Sequence, residues 1–93
     1  MNTAIVFITT AVDQVSEVAE EVAALDSVTE VYSVTGDVDL IAVAKVSRHE
    51  EFHDVIADRL NKVEGVLQTS THIAFRTYSS EDLEAGFDIG LSG

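Results

Sequence analysis

Two stretches of this sequence, Thr3 to Thr9 (T-A-I-V-F-I-T) and Leu40 to Val46 (L-I-A-V-A-K-V), are apolar on both of their alternating faces. A strand with one wet face alternates apolar and polar residues, so a short run that does not alternate belongs where both sides are covered. Both are read as central strands. Any fold for the chain must place these two segments inside a sheet and flank them with more polar strands.

The remaining segments supply those flanks. Between Asp13 and Leu25 the apolar residues Val15, Val18, Ala19, Val22 and Leu25 recur at helical spacing, with Glu17, Glu20 and Glu21 on the other side, which predicts an amphipathic helix. Val28 to Thr35 mixes Thr29, Glu30 and Ser33 with Val28, Val31, Tyr32 and Val34, and suits a sheet edge. Ser47-Arg48-His49-Glu50 has the S-x-x-E spacing of a capping box. It opens a second helix with the stripe Phe52, Val55, Ile56, Leu60 and Val63, ended by Gly65. Val66 to Thr77 is the last strand, polar in its first half.

The order strand, helix, strand, strand, helix, strand predicts an α+β fold: a four-stranded antiparallel sheet, spatial order 4-1-3-2, with both helices on one face. This is the split βαβ, or ferredoxin-like, arrangement. Its middle strands are the two already assigned there from composition. Because the helices cover one face only, Val, Ile and Phe side chains of the central strands are left on the other, and a patch of that kind marks an interface. The expectation is a homodimer closed through the open sheet face, a dimeric α+β barrel type of assembly, with a higher ring beyond it.

Ninety-three residues make one domain. The sequence divides into 1–78, the folded domain, and 79–93, whose Leu83, Phe87, Ile89 and Leu91 are too apolar for an inert tail and are expected to pack on this or a neighbouring subunit. Seventeen acids against five scattered bases give a net charge of −12, which argues against direct nucleic-acid binding, since phosphates need a clustered basic surface. The absence of cysteine removes disulfides, thiolate chemistry and cysteine-based metal sites. With neither a long apolar run nor a secretory leader in the sequence, a cytoplasmic location and no membrane contact are expected.

Thr35-Gly36-Asp37 forms the turn between the second and third strands. Glycine supplies the positive φ of a tight hairpin and aspartate bonds its own backbone, so turn chemistry alone explains Asp37 and Asp39. The same turn gathers carboxylates and exposed N–H groups, which suit the ammonium and carboxylate groups of an α-amino acid. Gln68-Thr69-Ser70-Thr71 reads in two ways: an edge made polar against strand pairing, or a row of donors and acceptors for a small polar ligand. His72 follows as a packed edge residue or a site-lining one. His49-Glu50-Glu51-Phe52-His53 matches H-E-x-x-H, but Glu50 serves the capping box and so small a domain leaves little room for a cleft, so no metal, cofactor or catalytic residue is assigned.

Val34-Thr35-Gly36-Asp37-Val38-Asp39-Leu40 resembles the T-G-x-x-D hairpin of the effector (RAM) domain of leucine-responsive, Lrp/AsnC-type regulators. The spacing to Gln68-Thr69-Ser70-Thr71 and the βαββαβ order are similar to that family as well, over about Thr3 to Tyr78. The resemblance implies dimers joined into a ring, often an octamer, with an amino acid bound where dimers meet. It implies a ligand site from hairpin residues Thr35, Gly36, Asp37 and Asp39 and from Gln68, Thr69, Ser70 and Thr71. Gly36 would bring backbone N–H groups to the ligand, Asp39 would receive its ammonium group, and the polar strand residues would bond its carboxylate or side chain. Tyr32 and Val34 border the motif.

Regulators of that family place a helix-turn-helix domain upstream, whereas here the first strand follows Met1 by two residues. The expectation is a stand-alone effector domain that senses an amino acid and acts on a full-length relative through mixed assembly. Three alternatives share the fold: a small dimeric enzyme of the monooxygenase or isomerase type, a purely structural oligomer, and an ACT-type regulatory module.

Overall fold

The computed structural model describes residues 2–80. Four strands, β1 (Asn2–Thr10), β2 (Val28–Ser33), β3 (Leu40–Val46) and β4 (Val66–Ala74), form one antiparallel sheet in the order β2-β3-β1-β4. This is the expected order read from the opposite edge, with the two doubly apolar segments in the middle. The first helix, α1, spans Val15–Ala23. The second, α2, is a wide π-type segment, His53–Arg59, closed by a single 3₁₀ turn, Leu60–Lys62. The fold is α+β and ferredoxin-like.

The pleat sorts the central strands cleanly. Ala4, Val6 and Ile8 of β1 and Leu40, Ala42 and Ala44 of β3 are fully buried on the helix side, against Val18 and Val22 of α1, Val55 and Leu60 of α2, and Phe52 at the N-cap of α2. The wide turn of α2 fits this core: Val55 and Leu60 are both buried, whereas a regular α-helix would set residues five apart about 140° round from each other. On the opposite face the register aligns Phe7 with Ile41 and Ser70, and Ile5 with Val43 and His72. Ile5, Phe7, Ile41 and Val43 are only half-buried, so the helix-free face is apolar as the pattern required.

Several boundaries differ from expectation for identifiable reasons. β2 ends at Ser33 rather than Thr35 because the Val34 N–H donates to the Asp39 carbonyl (3.1 Å), closing a loop at which Gly36 takes φ +114°. β4 stops at Ala74, which pairs with Thr3 near the start of β1, and beyond it the strand has no partner in β1. α1 loses its outer residues at both ends, with the Ala24 N–H shared between the Glu20 and Glu21 carbonyls. The cap of α2 is shifted by one residue: the Glu51 carboxylate accepts from the Arg48 N–H (3.1 Å), while Glu50 lies exposed near the Arg48 guanidinium. Ser47 makes no cap, so the S-x-x-E spacing marked the right turn through the wrong pair.

No helix among the described residues is long and apolar enough to cross a membrane. From residue 81 the segment expected to pack on a neighbour lies outside the described residues.

Candidate functional site

The hairpin loop between β2 and β3 stands over one end of the open face and leaves a concavity of about 580 Å³. Phe7 of β1, Ile41 of β3, and Ser70 and His72 of β4 form its floor, and Val34, Thr35, Asp37 and Val38 of the loop form its wall. The floor follows from strand register. Phe7 lies opposite both Ile41 and Ser70, and His72 is the next open-face residue along β4. The imidazole meets the Phe7 ring edge-on, with centroids 5.1 Å apart. The groove is thus apolar at its base, with two hydroxyls, one carboxylate and one imidazole around it.

Of the residues expected to bind ligand, the structure brings Thr35, Asp37 and Ser70 together here, with Gly36 in the same loop. Asp39 is placed otherwise. Its Oδ2 accepts from the Thr10 N–H (2.9 Å) and its own N–H donates to the Ile8 carbonyl (3.0 Å), so it joins the loop to the end of β1. The four consecutive polar residues of β4 divide between the two faces, as strand geometry demands. Gln68, opposite Thr9, shares the open face with Ser70 but is not part of the groove lining. Thr69, whose hydroxyl is 2.7 Å from Asn61 Oδ1, and Thr71, opposite the buried Val6, lie on the helix side. Tyr32 is on the open face of β2, donating to Glu30 (2.5 Å), and that carboxylate raises the phenol's pKa.

Three lining residues, Phe7, Val38 and Ile41, were not assigned to a site from the sequence, and His72 was left between a packed edge residue and a site-lining one. Phe7 and Ile41 read there simply as central-strand residues, and only the pairing register shows which of them meet beneath the loop. Alternation along β4 from Ser70 would have pointed to His72.

The H-E-x-x-H pair does not act as a unit. His49 packs edge-on against Phe52 (5.8 Å between centroids). Among the described residues a grouping with close-set ligand atoms contains His53, Asp54 and Asp58, all exposed and without His49.

The profile of the Lrp/AsnC ligand binding domain matches residues 3–83. This chain belongs to the Lrp/AsnC ligand-binding domain family. An HTH-type transcriptional regulator of Pyrococcus horikoshii is 38% identical over 65 residues, 70% of this chain and 43% of that protein. This Lrp/AsnC domain therefore spans less than half the length of the curated relatives it matches. A crystal structure from Thermus thermophilus is 42% identical with a TM-score of 0.80, covering 85% of this chain and 99% of the other. A Neisseria meningitidis transcriptional regulator, solved as a complex with L-Met, shares the fold at 17% identity, with a TM-score of 0.74 over 85% of this chain and 54% of that one.

Proposed function

We propose that this Lrp/AsnC domain is an amino-acid-sensing effector module that works as a homodimer and a higher ring, and that modulates transcription by assembling with full-length relatives. The observation that carries the reading is the groove: a hairpin carboxylate and two hydroxyls around an apolar floor suit a small molecule with a charged head and an apolar side chain. The site consists of Thr35, Gly36, Asp37 and Ser70, with Gln68 at its margin and Asp39 holding the loop in place. Residues 1–78 form the sensing domain, and the cytoplasm, where regulators meet metabolites, is its location.

Thermal shift against the twenty amino acids tests the sensing role. A ligand that binds only the folded state at ten times its Kd adds about 1.4 kcal/mol, which raises the Tm of a domain this size by roughly 5–10 °C. At least one amino acid is expected to do so, with L-methionine the first to try. A flat response to all twenty would reject the reading.

The open face supports self-association. Ile5, Phe7, Ile41 and Val43 form an apolar strip across the two middle strands; a second copy laid over it removes the strip from water and makes the groove at its hairpin end a site enclosed between two copies. Light scattering at micromolar concentration is expected to give a dimer or a multiple of it. A monomer there would contradict the assembly.

A further inference from the structure

β4 is an outermost strand of the sheet, paired with β1 on one side and with no strand among the described residues on the other. A free edge of this kind invites another strand, and proteins block it with charged side chains, proline or very short length. β4 has none of these. It runs nine residues, Val66–Ala74, without a lysine, arginine, aspartate, glutamate or proline. Its one irregularity, the register slip at Thr9/Thr10, falls at its start around Leu67 and leaves Gln68 to Ala74 regular. The opposite edge, β2, is six residues long and carries Glu30. The run Gln68-Thr69-Ser70-Thr71 is polar but neutral; threonine favours strands, and its hydroxyl bonds across a strand pair, so the run leaves the edge unprotected.

Exposed apolar side chains gather at the same edge. Leu67, Ile73, Phe75 and Tyr78 all belong to β4 or the segment that follows it, and among the described residues the other large exposed hydrophobics are Val12 and Tyr32. Thr71 and Ile73 face the helix side, opposite Val6 and Ala4, yet both are exposed, so the helix layer stops short of this edge. Phe75, one residue past the strand, is fully exposed.

We propose that β4 pairs antiparallel with β4 of a second copy across a two-fold axis at Thr71, so that the sheet runs on from one copy into the next. Such a pair sets each residue opposite the one equally distant on the other side of the centre. Thr71 then meets Thr71 of the second copy, Thr69 meets Ile73, and Leu67 meets Phe75, with β4 lengthened by one residue. This register covers Leu67 and Phe75 with each other and opposes no two like charges. That matters for a chain of net charge −12, whose copies repel wherever acids meet. The edge is complementary to itself, which is why a second copy is its occupant. The contact goes beyond the open-face dimer and uses other groups: the free backbone edge of β4 and its helix-side residues, against Ile5, Phe7, Ile41 and Val43 on the helix-free face. Two different two-fold contacts on one chain join dimers into larger symmetric assemblies. As the junction between dimers the edge rests on the ring reading above; the pairing of two edges does not.

Because the chain has no cysteine, a single-cysteine variant crosslinks only where two copies of the same residue meet. Directly opposed residues of an antiparallel pair have Cα atoms about 4.5–5.5 Å apart, inside the span of a disulfide. Under mild oxidation most of the Thr71→Cys protein is expected to run as a covalent dimer on non-reducing denaturing electrophoresis, whereas Thr29→Cys, also exposed but on β2, stays monomeric. No crosslink in Thr71→Cys, or the same extent in both variants, overturns the pairing. Thr71→Glu, at an exposed position that leaves the core untouched, sets two carboxylates against each other and is expected to lower the mass seen by light scattering about twofold or more. A wild-type dimer or larger species whose mass Thr71→Glu leaves unchanged overturns the edge pairing and keeps the open-face contact. A wild-type dimer that Thr71→Glu splits into monomers keeps the edge pairing and removes the open-face contact, and a wild-type monomer removes both.

Discussion

Replacing Gly65 by alanine lowers the melting temperature by roughly 10–25 °C. Gly65 sits in the turn between α2 and β4 at φ +96°, where an L side chain costs about 1–2 kcal/mol. A Cβ there would also lie 2.7 Å from Val18 Cγ2 and closer still to Gln14 Oε1. Val18 is fully buried, so it cannot yield without disturbing the core, and overpacking of this kind adds about 1–3 kcal/mol. The sum, about 2–5 kcal/mol, is a large part of the stability of so small a domain. Gly36→Ala is the internal comparison. It shares the positive φ but has nothing within 4 Å of the added Cβ, so it bears only the conformational cost. Thermal melts followed by circular dichroism check the pair, and a Gly65 variant no less stable than the Gly36 variant would refute the packing argument.

Asp39→Ala is expected to cost about 2–3 kcal/mol of folding stability, the range for a buried donor that loses a charged acceptor. Thr10 is 3% exposed, and its N–H has the Asp39 carboxylate as its acceptor where the register slips between Thr9 and Thr10. Asp39→Asn keeps an acceptor oxygen and is expected to lose only about 1 kcal/mol. Urea denaturation separates the two. A pure ligand contact would give a different result, with both variants as stable as wild type and both failing to bind. Full stability of Asp39→Ala would therefore undo the structural role.

Strand order, helix placement and the apolar open face were legible in the sequence because each rests on periodicity, a property local to its segment. Thr3 to Thr9 and Leu40 to Val46 had to be central whatever their partners were. The site was legible only in part. Turn chemistry located Thr35, Gly36 and Asp37, but the polar run Gln68 to Thr71 looked like one surface until pairing with β1 split it between two faces. Which partner a carboxylate chooses was equally hidden: Asp39 and Asp37 are two residues apart in the same loop, yet one reaches the backbone of a strand twenty-nine residues away and the other borders the groove. The wide turn of α2 answers a spacing between Val55 and Leu60 that also reads as an ordinary helical stripe with one irregular step.

Three loops meet at the hairpin end of the sheet through backbone N–H groups. Asp39 donates to Ile8, Thr10 donates to Asp39, and Ala11 donates to Gly65 at 2.8 Å. The loop above the groove is thus fastened at its base by contacts completed during folding. A receptor loop held in its binding position beforehand gives up little freedom when a ligand arrives, and more of the contact energy appears as affinity. In the proposed sensor, preorganisation of this kind would let a small open groove hold a small molecule, and it would give Asp39 a part in recognition that requires no contact with the ligand.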